Sequence, residues 1–298
     1  MKRFDNNARV CFIGDSITHA NRFVAHIVAY YREHFPEAKV EFYNCGIAGG
    51  TVNTILNAFD EDIRNYNPTH VVLMIGINDS GYNALNALPE RKYEELKRAY
   101  DNYKINLDKL CEKLKEMGTS LTLCTPMPYD EYMKSSEPTL PGGCALLLGY
   151  AEFIKKYAQD HGYPVCDYHS YATSVMQREV IFNPDRVHPN ANGHYHMAKC
   201  FLKFQGYELG EEKELPSNIQ KWHEAVLLLR DTITTEHLIM KDNFSVTQEE
   251  GVAAVKHYLE SEHTEPYAEI YKGLAKRYID TKPKQQDYLK FVIDFMKN

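Results

Sequence analysis

The sequence predicts a flavodoxin-like three-layer α/β/α fold, with a five-stranded parallel sheet in the order 2-1-3-4-5 and a C-terminal α-helical extension. Three observations predict it. Short β-rich runs alternate with amphipathic stretches of helical length from Arg9 to about Phe204. Most of these runs are continuously apolar, as strands covered on both faces are. Beyond Gly206 the strand signal stops and only helical periodicity remains. Strand, helix, strand in repetition implies parallel pairing through right-handed crossovers, and five such strands suit the 2-1-3-4-5 order.

The strand runs are RVCFIG (Arg9 to Gly14), KVEFYN (Lys39 to Asn44), HVVLMIG (His70 to Gly76), SLTLCT (Ser120 to Thr125) and PVCD (Pro164 to Asp167). Arg22 to Phe35 and Tyr93 to Met117 are amphipathic and of helical length. GYELGEEKELPSN, from Gly206, is polar and turn-rich, a linker that divides the chain into residues 1–205 and 206–298. Behind it Ile219, Trp222, Ala225, Val226, Leu229 and Ile233 recur at helical spacing after a Ser217-to-Gln220 capping box. Further helices are expected over Gln248 to Ser261, with Thr247 and Glu250 at its start, over Pro266 to Ile279 and over Lys284 to Lys297. Tyr258, Tyr267, Tyr271, Tyr278 and Tyr288 read as helix-packing aromatics. Three placements are open to the tail: over the active-site face, against a second copy in a homo-oligomer, or over the sheet's outer helices.

Composition narrows the function classes. The 298 residues are 44% hydrophobic and 25% charged, ordinary for a globular protein. A net charge of -7 argues against a nucleic-acid partner, which needs clustered Lys and Arg. The apolar run VCFIG is too short for a signal-peptide core, and no membrane-length apolar stretch follows, so no membrane partner and a cytoplasmic location are the expectations. The seven cysteines include no CxxC pair and several lie in apolar runs, which reads as buried free thiols.

Candidate chemistry sits after the first three strands. In a doubly wound sheet, ligands bind beyond the carboxyl ends of the strands, where strand order reverses. With strand 1 between strands 2 and 3, three loops converge: Gly14-Asp15-Ser16-Ile17-Thr18, Asn44 to Gly50, and Gly76-Ile77-Asn78-Asp79. Ser16 at a helix entrance would attack a substrate where free N–H groups favour negative charge. Its own N–H, the Gly46 N–H and the Asn78 amide are the expected oxyanion donors, Gly46 because a missing side chain admits close approach. A serine needs a base, and Asn183-Pro184-Asp185-Arg186-Val187-His188-Pro189 offers His188, with Asp185 to orient it. Asp15 is expected to brace its turn through backbone hydrogen bonds, and His19 is open to a substrate contact or an ordinary helix position. Taken singly, Ser16 could be a helix cap, His188 a surface histidine and Asn78 part of a turn. The ordered set is what points to a catalytic triad. His188, His194 and His196 beside Asp185 also suggest a metal cluster, but His194 and His196 diverge on a helix, so no metal and no cofactor are expected.

On these residues the chain resembles the SGNH hydrolases, also called the GDSL esterase/lipase family. It carries GDS around Ser16, a glycine-rich block at Gly46, GxND at Asn78 and DxxHP at Asp185 and His188, over roughly residues 8 to 204. The GxSxG elbow of other α/β esterases is absent, and Ile17 stands where the family name has Leu. The resemblance implies a hydrolase domain over 1–205, metal-free acyl transfer, and serine, glycine, asparagine and histidine roles at Ser16, Gly46, Asn78 and His188. The helical extension, 206–298, has no counterpart in the family's core. By analogy the expected substrates are small-molecule acyl esters, first of all O-acetylated sugars or glycosides. The alternatives are a lipid esterase or thioesterase (lysophospholipase-like) of the same family, and a non-catalytic ligand-binding module supported by Gly46, Gly49 and Gly50. Stretches expected to shape the pocket, Asn83 to Pro89 and Pro126 to Gly143, mix polar and apolar residues.

Overall fold

The computed structural model describes residues 3–86, 89–263 and 268–297. β1 (Arg9–Gly14), β2 (Glu41–Gly46), β3 (His70–Met74), β4 (Ser120–Cys124) and β5 (Val165–Cys166) form one parallel sheet in the order β2-β1-β3-β4-β5. Alternate strand residues enter two different cores. Phe12, Phe42 and Val72 pack on one face, while Cys11, Tyr43, Val71 and Leu121 pack on the other. Burial on both sides is why these strands read as unbroken apolar runs.

Strand limits differ slightly from the sequence expectation. β2 starts two residues later, because Lys39 closes a 3-10 turn over Pro36–Ala38 in the left-handed region, and it runs on to Gly46. β3 ends at Met74, and Gly76, at φ 137°, turns the chain away. The helices are α1 (Ser16–His19), α2 (Arg22–His34), α3 (Val52–Ala58), α4 (Pro89–Glu116), α5 (Gly143–His161), α6 (Tyr168–Met176) and α7 (Ala191–Phe204). The extension adds α8 (Ser217–Met240), α9 (Gln248–Glu260), α10 (Ala268–Thr281) and α11 (Gln285–Lys297). The Asn83-to-Pro89 loop and the start of the Pro266-to-Ile279 stretch fall partly outside the described residues. All seven cysteines are free, and all but the half-buried Cys144 are buried. No helix among the described residues is long and apolar enough to cross a membrane.

One expected cap is absent. Ser217 is already the first helical residue of α8, and the extended Pro216 before it offers no side-chain acceptor, so the Ser217-to-Gln220 box does not form. The Thr247–Glu250 box of α9 does form, with both reciprocal bonds present.

α8 is built into the sheet domain. Ile219, Trp222, Ala225, Val226 and Leu229 join the core that contains α2, Ile233 joins the opposite core, and Val292 and Met296 of α11 pack beneath β2. α9 and α10 add a small cluster of their own around Val255, Ala275 and Tyr278. Among the apolar positions of α8 stands Arg230, 2% exposed. Its guanidinium pairs with both oxygens of Asp62, at 2.8 and 2.6 Å, and donates to the carbonyls of Asn44 (2.9 Å) and Gly46 (3.0 Å). Asp62 lies in a π-helical turn, Phe59–Ile63, that follows α3. The extension thus grips the end of the edge strand β2 through a buried charge pair.

Removing one partner of such a pair strands the other in the interior. Asp62→Ala is expected to destabilise the fold by about 3–5 kcal/mol, measured by urea unfolding. Asp62→Leu combined with Arg230→Met is expected to recover only part of that loss: it avoids a lone buried charge but takes the Arg230 donors from the Asn44 and Gly46 carbonyls.

Candidate active site

Level strand ends bring the loops together. Gly14 pairs with Gly46 on one side and Met74 on the other, so β1, β2 and β3 finish side by side. After β1, Asp15 caps α1: its Oδ1 accepts from the Ile17 N–H at 3.0 Å. Asp15 is 1% exposed, and burial pushes its pKa up to about 6 against the lowering pull of the Ile17 amide and of nearby His188. Ser16 is the first residue of α1, and its N–H makes no hydrogen bond among the described residues.

The loop after β3 is tied to the loop after β2. Asn78 Nδ2 donates to the Gly50 carbonyl at 2.9 Å, and Asp79 Oδ1 accepts from the Val52 N–H, the first amide of α3, also at 2.9 Å. One Asn78 amide hydrogen is spent on orientation, which leaves the other to aim elsewhere. Burial raises the Asp79 pKa to about 7.

Gly46, expected to donate to an oxyanion, does not have a free amide. Its N–H donates to Asn44 Oδ1 at 2.8 Å, and Asn44 Nδ2 in turn bonds the Thr18 carbonyl and Asn21 Oδ1. Glycine is needed here for a different reason: a Cβ would come within 2.2 Å of the His19 nitrogen, so β2 could not pack against α1. In the same loop Gly49 is left-handed at φ 76° and exposed, and its N–H is without a partner among the described residues.

The last loop closes on itself as a hairpin. Phe182 bridges Pro189, and the Asn183 N–H donates to the His188 carbonyl at 2.8 Å. Asn190 then caps α7 through the Gly193 N–H. At the final rung, His188 Nε2 lies 2.7 Å from Ser16 Oγ, a contact between residues 172 positions apart. His188 Nδ1 lies 2.9 Å from Asp185 Oδ2, and Asp185 Oδ1 accepts the backbone N–H groups of Val187 and His188. Burial raises the Asp185 pKa, but the His188 ring and the two amides outweigh it and hold the carboxyl down at about 2. For His188, burial acts downward, yet the Asp185 hydrogen bond and charge leave its pKa above the ordinary 6.5. Arg186, between them, is 4% exposed and donates to the carbonyls of Asp130, Glu131, Met133 and Glu137, fastening this loop to the 130–137 stretch.

Ser16 and His188 line a cavity of ≈ 280 Å³ with Arg22, Asn183, Asn190 and His194 among its polar groups. A larger cavity, ≈ 580 Å³, lies away from them between α2 and the linker. His194 and His196 do not converge. His194 stacks on Phe23, and burial lowers its pKa to about 3, whereas His196 pairs with Glu179 at 3.0 Å.

Several contributors were not foreseen. His19 Nε2 lies 3.1 Å from Asp231 of α8, Asn21 meets His223 at 3.2 Å, and Thr234 Oγ1 accepts the Ala48 N–H at 3.1 Å. The available signal was Arg230, a charge on an otherwise apolar helical stripe, which requires a buried acid somewhere else in the chain.

Residues 12–195 match the GDSL-like Lipase/Acylhydrolase family. The chain belongs to this family. It is a carboxylic ester hydrolase of the GDSL type, with the parallel order 2-1-3-4-5 expected of it. It is 26% identical over 223 residues, 69% of this chain and 97% of the relative, to the acetylxylan esterase of Geobacillus stearothermophilus. A solved structure of that esterase superposes with a TM-score of 0.59, at 26% identity, over 70% of this chain and 99% of the other. Catalytic mutants of that esterase replace a serine, an aspartate and a histidine, the last two three positions apart. A gut microbial diltiazem-metabolizing enzyme shares the fold over 100% of this chain and 97% of its own, with a TM-score of 0.72 at 16% identity.

A base in Ser16 chemistry must be unprotonated, so kcat/KM is expected to fall as pH drops through the raised His188 pKa, above 6.5. In Asp185→Asn that limb should move to lower pH, and kcat should fall on the order of 10³–10⁴-fold. A pH–rate profile of both proteins with an activated acetate ester checks the sign.

Proposed function

We propose that the chain is a serine O-acetyl esterase acting on acetylated sugars or glycosides through an acyl-enzyme intermediate. The observation that carries the reading is the continuous relay Asp185–His188–Ser16, at 2.9 and 2.7 Å. Ser16 Oγ attacks the ester carbonyl carbon while His188 Nε2 takes its proton. Asp185, already ionised, stabilises the imidazolium and keeps the Nδ1 tautomer. Collapse of the tetrahedral intermediate expels the alcohol, which receives the proton from His188. Water, deprotonated by the same imidazole, then attacks the acyl-Ser16 carbonyl, and Ser16 leaves with its proton restored.

The oxyanion is received by the Ser16 N–H, the Asn78 amide and, in place of Gly46, the Gly49 N–H. Gly49 is supported by its unused amide in the loop to which Asn78 is bonded. Asp15 has a supporting role, holding the turn that carries Ser16. Small acyl groups are supported by the modest, mostly polar cavity at Ser16 and His188. They are supported also by the kinship to an acetylxylan esterase whose catalytic aspartate–histidine spacing equals that of Asp185 and His188.

Hydrolysis of p-nitrophenyl acetate is expected to fall by at least about a thousandfold in Ser16→Ala. Asn78→Ala is expected to lower kcat by about 10²–10³-fold, as loss of one oxyanion donor does. Wild-type protein should favour acetate over octanoate esters and should deacetylate acetylated xylosides. Equal rates for wild type and Ser16→Ala, or a preference for octanoate, would overturn the corresponding part of the reading.

A further inference from the structure

One face of α8 follows the loop after β2 almost residue by residue. Arg230 holds the Asn44 and Gly46 carbonyls, and Thr234, one turn on, accepts the Ala48 N–H. After a further turn His237 and Leu238 lie against Gly49: a Cβ placed there would sit 3.7 Å from His237 Nε2 and 3.5 Å from a Leu238 methyl carbon. Positions 230, 234, 237 and 238 share one helical stripe. The two anchored turns therefore fix where the third one falls.

His237 is itself held. Its Nδ1 lies 2.5 Å from Asp242 Oδ1, and Asp242 Oδ2 accepts from Asn57 at 3.4 Å. To bring Asp242 back to that ring the chain passes through two consecutive left-handed, non-glycine residues, Lys241 at φ 52° and Asp242 at φ 65°. Residues with a Cβ rarely adopt that conformation. A carboxylate can only accept, so Nδ1 carries a proton toward Asp242, and in the Nδ1–H tautomer the Nε2 lone pair lies beside Gly49. Nε2 makes no hydrogen bond among the described residues, and His237 is half-buried rather than enclosed.

We infer that His237, oriented by Asp242, is a specificity residue that accepts a hydrogen bond from a hydroxyl of a polyhydroxylated acyl ester bound over Gly49. The inference rests on the proposed reading that the Gly49 N–H faces the oxyanion. A fixed lone pair selects a substrate that can donate to it. An aryl or alkyl ester without hydroxyls only desolvates that lone pair. His237 lies outside residues 12–195, the stretch that matches the family, so the extension adds this contact to the family's core.

The test compares kcat/KM for an O-acetylated methyl xyloside with free hydroxyls and for p-nitrophenyl acetate, in wild type, His237→Ala, His237→Gln and Asp242→Asn. The ratio of xyloside to aryl ester should fall about tenfold in His237→Ala, the size of one neutral hydrogen bond, chiefly through KM. His237→Gln, which keeps an acceptor, should recover part of it, and Asp242→Asn should reproduce part of the loss. Equal falls for both substrates, with no recovery in His237→Gln, would overturn the inference and leave a structural role. Ser16→Ala run beside these variants separates the two failures. If it is inactive while the ratio stays constant across the His237 variants, only this inference fails. If it retains wild-type rates, the proposed function fails and this inference with it.

Discussion

Three parallel strands that end level are the constraint on which the rest of this molecule depends. Gly14 has Gly46 on one side and Met74 on the other, and parallel pairing allows no slippage while both sheet faces are buried. The loops that leave these ends therefore open toward one volume, and each has little freedom of its own. Asp15 closes the first, Asn44 occupies the Gly46 amide in the second, and Asp79 ties the third to the head of α3. Ser16 and its neighbours are positioned by backbone pairing first and by side-chain bonds second.

His188 arrives by a different route. His188 comes from a short hairpin that closes only between Phe182 and Pro189, and an isolated hairpin of that size holds poorly in water. Arg186 compensates by spreading its guanidinium over several carbonyls of the 130–137 stretch, in a residue held at a left-handed φ of 69°. A charge is thus used as a rivet between two loops, and the imidazole next to it inherits the rigidity. Such rigidity matters to the proposed mechanism, because proton transfer from Ser16 would depend steeply on the donor–acceptor distance and direction.

The C-terminal helices lie outside the stretch that matches the family and are bonded into the sheet domain. α8 covers the exposed edge beside β2, which a parallel sheet would otherwise leave open. Its Arg230 satisfies the last carbonyls of that strand while Asp62 neutralises it. The same helix reaches His19 and Asn21, close to Ser16 in sequence, and Ala48 and Gly49 in the loop after β2. Stability of the edge and shape of the site are therefore coupled through one helix.

Sequence alone determined the fold class and the strand order, and it named Ser16, His188 and Asp185, whose side chains meet at 2.7 and 2.9 Å. Apolar runs buried on two faces, amphipathic spacing, and chemically distinctive groups after particular strands are all local properties, so they can be read along the chain. The glycine that matters was not legible in that way. Gly46 and Gly49 look alike as letters, and only the packing of β2 on α1 shows that one is a steric necessity with its amide occupied while the other keeps its amide unused. The role of Arg230 was equally hidden, because its partner Asp62 stands 168 positions away and a buried ion pair exists only when the fold brings both charges together. Hydrogen-bond saturation and long-range charge pairing belong to the assembled structure, and those two quantities decided which groups around Ser16 remain available.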